Sequence, residues 1–224
     1  MCARWSEESV LSHHRAKVEN ISRSLGGRSG STAVSLKKRS PPHQVPKPRD
    51  LRRKDQKIDL SALDEILEID AESRTCVVEP GVTFVDLVSA TLPHGLVPTV
   101  VPELKTITVG GAICGASLES MSFRYGGFHD SCIKYEMLTA EGEVLECTPT
   151  NENSLIFHML HGSFGTLGIL TKITFRLVSA RPFVHLTYEA YDAAEDYQAA
   201  IEKRRKDQDV DFLDGIIHDP NRYI

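Results

Sequence analysis

Apolar residues recur at helical spacing in several stretches of the chain, with polar residues on the opposite face. This period predicts helices over 6–24, 84–91 and 192–206, and a short helix over 151–160. Residues that commonly cap helices stand at the start of three of these stretches. The predicted caps are Thr83 with Asp86, Asn151 or Asn153, and a capping box of Asp192 with Glu195.

Between the helices, apolar residues alternate with polar ones or form β-branched runs, a pattern that is typical of strands. Proline- and glycine-containing turns separate these runs. The predicted strands cover 32–36, two short runs within 58–70, 75–79, 133–139, 144–147, 169–177 and 210–217. Because helices and strands do not alternate regularly, the sequence predicts an α+β fold.

Three glycine-containing segments interrupt this pattern: GRSGST at 27–32, TITVGGAICGASLES at 106–120 and HGSFGTLG at 161–168. Glycine lets the backbone approach a ligand closely, and successive amide groups attract anions. The central segment has neither the spacing G-x-G-x-x-G nor that of a P-loop. By itself it fits a tight crossing between packed strands as well as a ligand site, and the first segment by itself fits a polar turn before a strand better than a pyrophosphate loop.

Composition narrows the class of protein. Hydrophobic residues make up 41% and charged residues 25% of the 224 residues, which is typical of a soluble globular protein. The net charge of −5 argues against nucleic-acid binding. Five cysteines without a C-x-x-C pair indicate a reducing, intracellular setting and no structural metal site. No apolar run approaches the roughly 18 residues that span a bilayer.

Residues 37–54 form a separate compositional segment. They contain eight lysines or arginines, four prolines and a single acidic residue. Such a segment cannot build a hydrophobic core, and we interpret it as an exposed basic loop. Contact with anionic lipid, as a peripheral membrane protein, and a nuclear-import signal are the alternative interpretations.

Six segments together resemble the FAD-binding domain of the vanillyl-alcohol-oxidase superfamily, the PCMH-type domain. They occur in the order found in that family and cover roughly residues 20 to 180. The segments are GRSGST at 27–32, IDLSALDEILEID at 58–70, VVEPGVTFVDL at 77–87, TVGGAICGASLES at 108–120, YEMLTAEGEVLECTP at 135–149 and GSFGTLGILTKITFRL at 162–177.

Within the superfamily, the chain is most similar to the Δ24-sterol reductase (Diminuto-like) group. The similarity lies in VPELKTITVGG at 101–111, FRYGGFHDSCIKYEML at 123–138, PTNENSLIF at 149–157 and FLDGIIHD at 212–219. It implies an N-terminal helix at 1–26, a two-subdomain PCMH-type domain at 27–180, and the start of a substrate (cap) domain at 181–224. Since that last domain scarcely begins, we expect the sequence to be a fragment or a truncated form.

The resemblance also implies the cofactor site. The first loop would wrap the FAD pyrophosphate, the central glycine segment would lie along the cofactor, and a Gly-Ile pair would lie near its adenine end. Ser31 stands where several relatives attach FAD through histidine, so we expect non-covalent FAD. The implied FAD-binding residues are Arg28, Ser29, Gly30, Ser31, Thr32, Thr108, Val109, Gly110, Gly111, Ala112, Ile113, Cys114, Gly115, Ala116, Ser117, Leu118, Glu119, Ser120, Gly168 and Ile169.

The function that the resemblance implies is reduction of the Δ24 double bond of a sterol side chain, with FAD as cofactor and NADPH as co-substrate. The group suggests the endoplasmic reticulum membrane as the location. No residue stands out as the catalytic acid, and the oligomeric state stays open. Two alternatives also stay open: an FAD-dependent oxidase of an alcohol or sugar lactone, and a truncated flavin-binding module without turnover.

Overall fold

A computed structural model describes residues 7–27, 33–39, 54–219 and 222–223. The six helices and ten strands in this part of the chain are mixed along the sequence, which confirms the predicted α+β class. The helices are α1 (Glu7–Gly26), α2 (Phe84–Thr91), α3 (Val109–Cys114), α4 (Ser122–Tyr125), α5 (Ser154–Met159) and α6 (Ala194–Arg204). The strands are β1 (Val34–Lys37), β2 (Gln56–Asp59), β3 (Ile66–Asp70), β4 (Thr75–Val78), β5 (Leu96–Pro98), β6 (Cys132–Leu138), β7 (Val144–Cys147), β8 (Ile169–Ser179), β9 (Ile217–Asp219) and β10 (Arg222–Tyr223).

The main sheet is organised around β8, the longest strand. The strand order is β3-β4-β8-β6-β7, with β5 paired to the far end of β8, and all of these pairs are antiparallel. Alternate residues of β8 are fully buried, including Ile173 and Phe175. Phe128 packs against Phe84 and Phe175 at ring-centroid distances of 5.1 and 5.2 Å. This aromatic contact ties α2 and the segment after the central glycines to the sheet.

A smaller unit packs on one end of the sheet. It consists of α1 and the parallel pair β1–β2. Its core contains Val18, Ile21 and Ile58, which pack with Leu138 of β6 and Ile169 of β8. The helical spacing of α1 therefore buries one face against the sheet, as its sequence pattern predicts.

Several local predictions are confirmed. The helix predicted over 6–24 corresponds to α1, and the strand predicted over 169–177 corresponds to β8. Thr83 caps α2, with its hydroxyl accepting a hydrogen bond from the Asp86 amide at 3.2 Å. In the described part of the chain, no helix is long and apolar enough to cross a membrane.

One predicted cap is wrong, and another is confirmed in position but lacks the capping hydrogen bond. The N-cap of α6 is Ala193, which has no side-chain acceptor, so the box of Asp192 with Glu195 does not form. Asn153 holds the N-cap position of α5, but its side chain donates to the carbonyl of Glu146 instead of capping the helix. In both cases the polar side chain has the expected type and lies in the wrong geometry.

The strand predicted over 210–217 is also wrong, because regular structure there begins only with β9. The backbone polar groups before β9 form hydrogen bonds with residues 120–124 rather than with a neighbouring strand. The carbonyl of Val210 accepts a hydrogen bond from the Arg124 guanidinium at 2.8 Å, and the Leu213 amide donates to the carbonyl of Ser120 at 3.0 Å. A segment whose polar groups are paired in this way does not need a sheet partner.

Candidate cofactor site

The central glycine segment folds into the short helix α3. Thr108 is its N-cap, and the threonine hydroxyl accepts a hydrogen bond from the Gly111 amide at 3.3 Å. The Val109 amide donates to the carbonyl of Val82, and the Gly110 amide donates to the carbonyl of Pro80, both at 2.9 Å. These first two amides are therefore used within the protein.

Gly110 is required by packing. A Cβ atom at this position would lie 2.6 Å from the Cβ atom of Pro80 and 3.1 Å from its carbonyl oxygen. Gly81, next to that proline, is equally restricted, because a Cβ there would lie 2.3 Å from the carbonyl oxygen of Leu63. Gly110 thus lets α3 approach the turn at 79–81, and Gly81 lets that turn approach the segment at Leu63.

Gly111 faces a different environment. A Cβ atom here would meet only the Thr108 hydroxyl, at 3.1 Å, and the ammonium group of Lys38, at 3.7 Å. Its neighbour in the sequence packs against protein, whereas Gly111 has a positive charge beside it. The two adjacent glycines therefore have different roles, and Gly111 is the one whose surface a ligand can reach.

The structure brings the second and third glycine segments together. The Gly162 amide donates to the carbonyl of Ile113 at 3.1 Å, and the Phe164 amide donates to the carbonyl of Cys114 at 2.9 Å. A Cβ atom at Gly162 would lie 3.6 Å from the Cβ atom of Ala116. The loop 161–168 therefore lies directly against the end of α3.

The end of β1 completes this arrangement. A Cβ atom at Gly165 would lie 3.7 Å from the Cδ1 atom of Leu36, and Lys38 reaches Gly111 as described above. We call the surface formed by Gly111, Ala116, Gly162, Gly165 and Lys38 the glycine cradle. It joins three segments that lie far apart in the sequence.

Two of the three described non-glycine residues with positive φ lie in or next to the glycine cradle. Ala116 and Phe164 have φ angles of 52° and 53°, which non-glycine residues rarely adopt. The phenylalanine side chain is 76% exposed, so burial of its ring does not explain the conformation. Strained backbone that surrounding hydrogen bonds hold in place is common at ligand sites.

The electrostatics of the cradle suit an anionic ligand. Desolvation by the surrounding chain lowers the pKa of Lys38 from its usual value. Burial raises the pKa of the Cys114 thiol, partly offset by hydrogen bonds from Ser163 and Gly165, so this cysteine stays neutral at physiological pH. The ammonium group of Lys38, an exposed residue beside glycine backbone, is a suitable partner for a phosphate oxygen.

The predicted site residues fall into three groups. Arg28, Ser29, Gly30, Ser31 and Thr32 lie outside the described residues. Thr108, Val109, Gly110, Ala112, Ile113 and Ile169 are buried, and a Cβ at Gly168 would lie 2.8 Å from the sulfur of Met137. Gly111, Cys114, Gly115, Ala116, Ser117, Leu118, Glu119 and Ser120 are at least partly exposed.

Sequence reasoning missed three members of the cradle. Lys38 stands at the start of the basic segment that was interpreted as an exposed loop, and only its distance to Gly111 shows its place. Gly162 and Gly165 lie within the HGSFGTLG segment, whose glycine content was the signal available from sequence. Their positive φ angles of 71° and 74° explain why glycine is used there.

A cluster of aromatic and histidine rings lies beneath loop 161–168. The Tyr135 hydroxyl donates to the Nε2 atom of His161 at 3.0 Å, given a neutral imidazole. Burial, and then the charges of His129 and His158, lowers the pKa of His161 to about 4. This ring is therefore neutral at physiological pH and supports the cradle from the protein side.

The comparisons with known proteins agree with this geometry. Residues 45–148 match the family model of an FAD binding domain. The chain is 34% identical over 177 residues to the Delta(24)-sterol reductase of Pisum sativum, covering 75% of this chain and 31% of that protein. It is 31% identical over 234 residues to the Delta(24)-sterol reductase of Arabidopsis thaliana, covering 98% of this chain and 42% of that protein. The chain thus spans less than half the length of these relatives.

Among solved structures, 6-hydroxy-D-nicotine oxidase from Arthrobacter nicotinovorans matches with a TM-score of 0.60 and 19% sequence identity. The match covers 72% of this chain and 34% of the oxidase. At this identity the likeness shows a common fold and nothing about the substrate. Together with the family model, it confirms the predicted PCMH-type FAD-binding fold.

Proposed function

We propose that this chain, which carries a PCMH-type FAD-binding domain and is similar to Delta(24)-sterol reductases, is the flavin-binding part of an NADPH-dependent reductase of the sterol Δ24 double bond. The convergence of three segments in the glycine cradle is the observation that carries this proposal. Within the described residues, it brings together partly exposed glycine backbone, two non-glycine residues with positive φ and the ammonium group of Lys38.

The residues present suit FAD. Gly111, Gly162 and Gly165 leave space for a flat or phosphate-bearing ligand, and Lys38 would hold a phosphate oxygen. Bound FAD would supply the hydride-transfer chemistry that no protein side chain can supply. The chain's own residues would orient it: Thr108 fixes the start of α3, and the bond from Gly162 to Ile113 fixes the opposing loop.

A cavity lined largely by the C-terminal segment supports an apolar substrate. It has a volume of about 860 Å³ and lies between Met121, the strand β5 and the C-terminal segment 178–216. Met121, one of the lining residues, directly follows the central glycine segment in the sequence. Most of its lining side chains are aliphatic or aromatic, including Tyr125 and Ile201, and its size is typical of small-molecule sites. These features suit a rigid hydrocarbon skeleton such as a sterol.

A substrate that resides in the membrane also favours binding of the protein to the membrane surface. We include peripheral membrane contact in the proposal because a sterol partitions into the bilayer and must be reached there. Most of the basic segment 37–54, which is a possible contact, lies outside the described residues.

Anaerobic flavin spectroscopy tests the reductase assignment. The FAD-loaded chain should lose its flavin absorbance with NADPH and regain it when a sterol with a Δ24 double bond is added. Absence of bleaching by NADPH would contradict the reductase, and peroxide formation with an alcohol or sugar lactone would identify an oxidase instead.

A pair of variants on α6 tests the cavity. Ile201→Glu places a carboxylate among the lining residues and should weaken reoxidation by the sterol, while bleaching by NADPH stays unchanged. Gln198→Glu places the same charge on the exposed side of that helix and should behave like the wild type. Equal effects of the two variants would contradict sterol binding in this cavity.

A further inference from the structure

A buried charged network joins α1 to the main sheet. The side chain of His14 is 1% exposed and lies between two carboxylates from distant parts of the chain. Its Nδ1 atom lies 2.8 Å from Glu79 Oε1, and its Nε2 atom lies 2.9 Å from Glu136 Oε1. Glu79 follows β4 and is completely buried, and Glu136 lies in β6.

The hydrogen bonds fix the charge of the histidine. Glu79 accepts two further hydrogen bonds from Lys17 Nζ, at 3.2 and 2.9 Å, and one from the Glu65 amide at 2.9 Å. Glu136 accepts one from the Lys172 ammonium at 2.7 Å and one from the Thr171 hydroxyl at 2.8 Å. With donors surrounding both carboxylates, both are ionised.

Ionised carboxylates can only accept hydrogen bonds, so both ring nitrogens of His14 must donate. The ring is therefore an imidazolium. Although burial lowers it, the pKa of His14 lies above its usual value because hydrogen bonds to Glu136 and Glu79 favour the charged form. Burial raises the pKa of Glu136, but the bonds from His14 and Lys172 outweigh it and bring the value down to about 2.

The network is connected to the glycine cradle through one turn. Glu79 is followed directly by Pro80, whose carbonyl accepts the hydrogen bond from the Gly110 amide at 2.9 Å. The next residue, Gly81, donates to the carbonyl of Leu63 at 2.7 Å. Whatever holds Glu79 in place thus also holds the backbone against which α3 is packed.

We propose that His14 is a positioning residue for the cofactor site: as an imidazolium it ties α1 to Glu79 and Glu136 and thereby holds the turn at 79–81 against α3. The link to cofactor affinity rests on the proposed function, whereas the tie itself rests on the network alone. The sequence places these groups 65 and 122 residues apart, so their meeting is a product of the fold.

The tie is intact only within a window of pH. The contribution of His14 is complete below its ordinary pKa of 6.5 and is lost as pH rises through the higher folded-state value. The contribution of Glu136 is present above 4.5 and is lost as pH falls toward about 2. The other charged groups of the network are Glu79, with a lowered pKa, and the side chains of Lys17, Lys172 and Glu65. The exposed ring of His13 lies outside the network, 3.7 Å from Glu65.

Nuclear magnetic resonance of the full chain tests the tie directly. The imidazole signal of His14, assigned by its absence in His14→Gln, should titrate with a midpoint above 6.5. The backbone amide signal of Gly110 should shift with the same midpoint, and this shift should be absent in His14→Gln. His13→Gln removes an exposed histidine one position away and should leave both titrations unchanged.

Cofactor affinity gives a second readout. FAD binding should weaken by about five- to tenfold as pH rises through the His14 midpoint, a coupling of ordinary size between sites. Glu136→Gln removes one of the two carboxylates and should move this midpoint to lower pH. Lys38, whose pKa is also lowered, is a second source of pH-dependent FAD affinity. A change in affinity caused by Lys38 would persist in His14→Gln, which distinguishes it from the change caused by His14.

The outcomes separate the two claims. A His14 titration midpoint at or below pH 6.5 would contradict the proposed link between α1 and the turn at 79–81. A Gly110 amide signal that does not shift with this midpoint would contradict it as well. A wild-type chain that binds no FAD at any pH overturns the proposed function, while the Gly110 titration still decides the tie. If the FAD-binding phase that has the His14 midpoint in the wild type persists unchanged in His14→Gln, the positioning role is overturned.

Discussion

Replacing Gly110 by alanine adds a methyl group where the fold has no space. The new Cβ would lie 2.6 Å from the Cβ of Pro80, whereas ordinary contacts begin at 3.4 Å. A proline ring cannot rotate away, so α3 or the turn at 79–81 must move by nearly 1 Å. Overpacking of this kind costs about 1–3 kcal/mol, of which the lower chain entropy of alanine offsets roughly 0.5–1 kcal/mol.

Gly111→Ala is the matched comparison because it adds the same atom one residue later. That methyl group would meet the Thr108 hydroxyl at 3.1 Å and Lys38 at 3.7 Å, and both partners are side-chain atoms. We expect the free energy of unfolding to stay within about 1 kcal/mol of the wild type, because alanine favours the helix. The methyl group occupies the surface of the cradle, so FAD affinity should fall.

Urea unfolding and FAD titration of the two variants provide the assay. Gly110→Ala should lose up to about 2.5 kcal/mol of stability, the overpacking cost less the entropic gain, which for a chain of this length lowers the melting temperature by up to several degrees. Gly111→Ala should keep its stability and lose affinity. If both variants lose stability equally, or if Gly111→Ala binds FAD as the wild type does, the assignment of separate roles is refuted.

Two further predictions concern the C-terminal segment and the histidine cluster. Arg124→Ala removes the donor to three backbone carbonyls in 207–210, so limited proteolysis should cut this segment faster, whereas Arg205→Ala, which loses only a bond within α6, should not change the rate. Equal cleavage of the two variants would contradict this docking role. Because burial and two neighbouring histidines lower the pKa of His161 to about 4, the unfolded chain binds a proton between pH 6.5 and 4 that the folded chain does not. Stability should therefore decrease as pH falls through this range, and His161→Asn should lack that component; an unchanged pH dependence in the variant would contradict it.

Local patterns in the sequence predict much of this fold. The β-branched run that forms β8 and the hydroxyl of Thr83 ahead of α2 are short-range signals, and both are confirmed. The strand predicted at 210–217 is wrong because a distant side chain, Arg124, satisfies backbone groups there. A pattern of apolar residues contains no information about such a partner.

The site shows the same limit at the level of single residues. Sequence identifies the glycine segments and, through the family resemblance, predicts FAD as their ligand. It does not distinguish Gly110, which packs against Pro80, from Gly111, which faces Lys38, because that difference depends on three-dimensional neighbours. His14 likewise has an ordinary place in a helical pattern, and its role depends on two carboxylates that only folding brings together.

Retention of flavin by the purified chain tests the central claim most directly. After incubation with FAD and gel filtration, the folded chain should carry about one flavin, released by acid precipitation because Ser31 offers no covalent attachment. A chain that is folded by circular dichroism but elutes without flavin would contradict the glycine cradle as an FAD site.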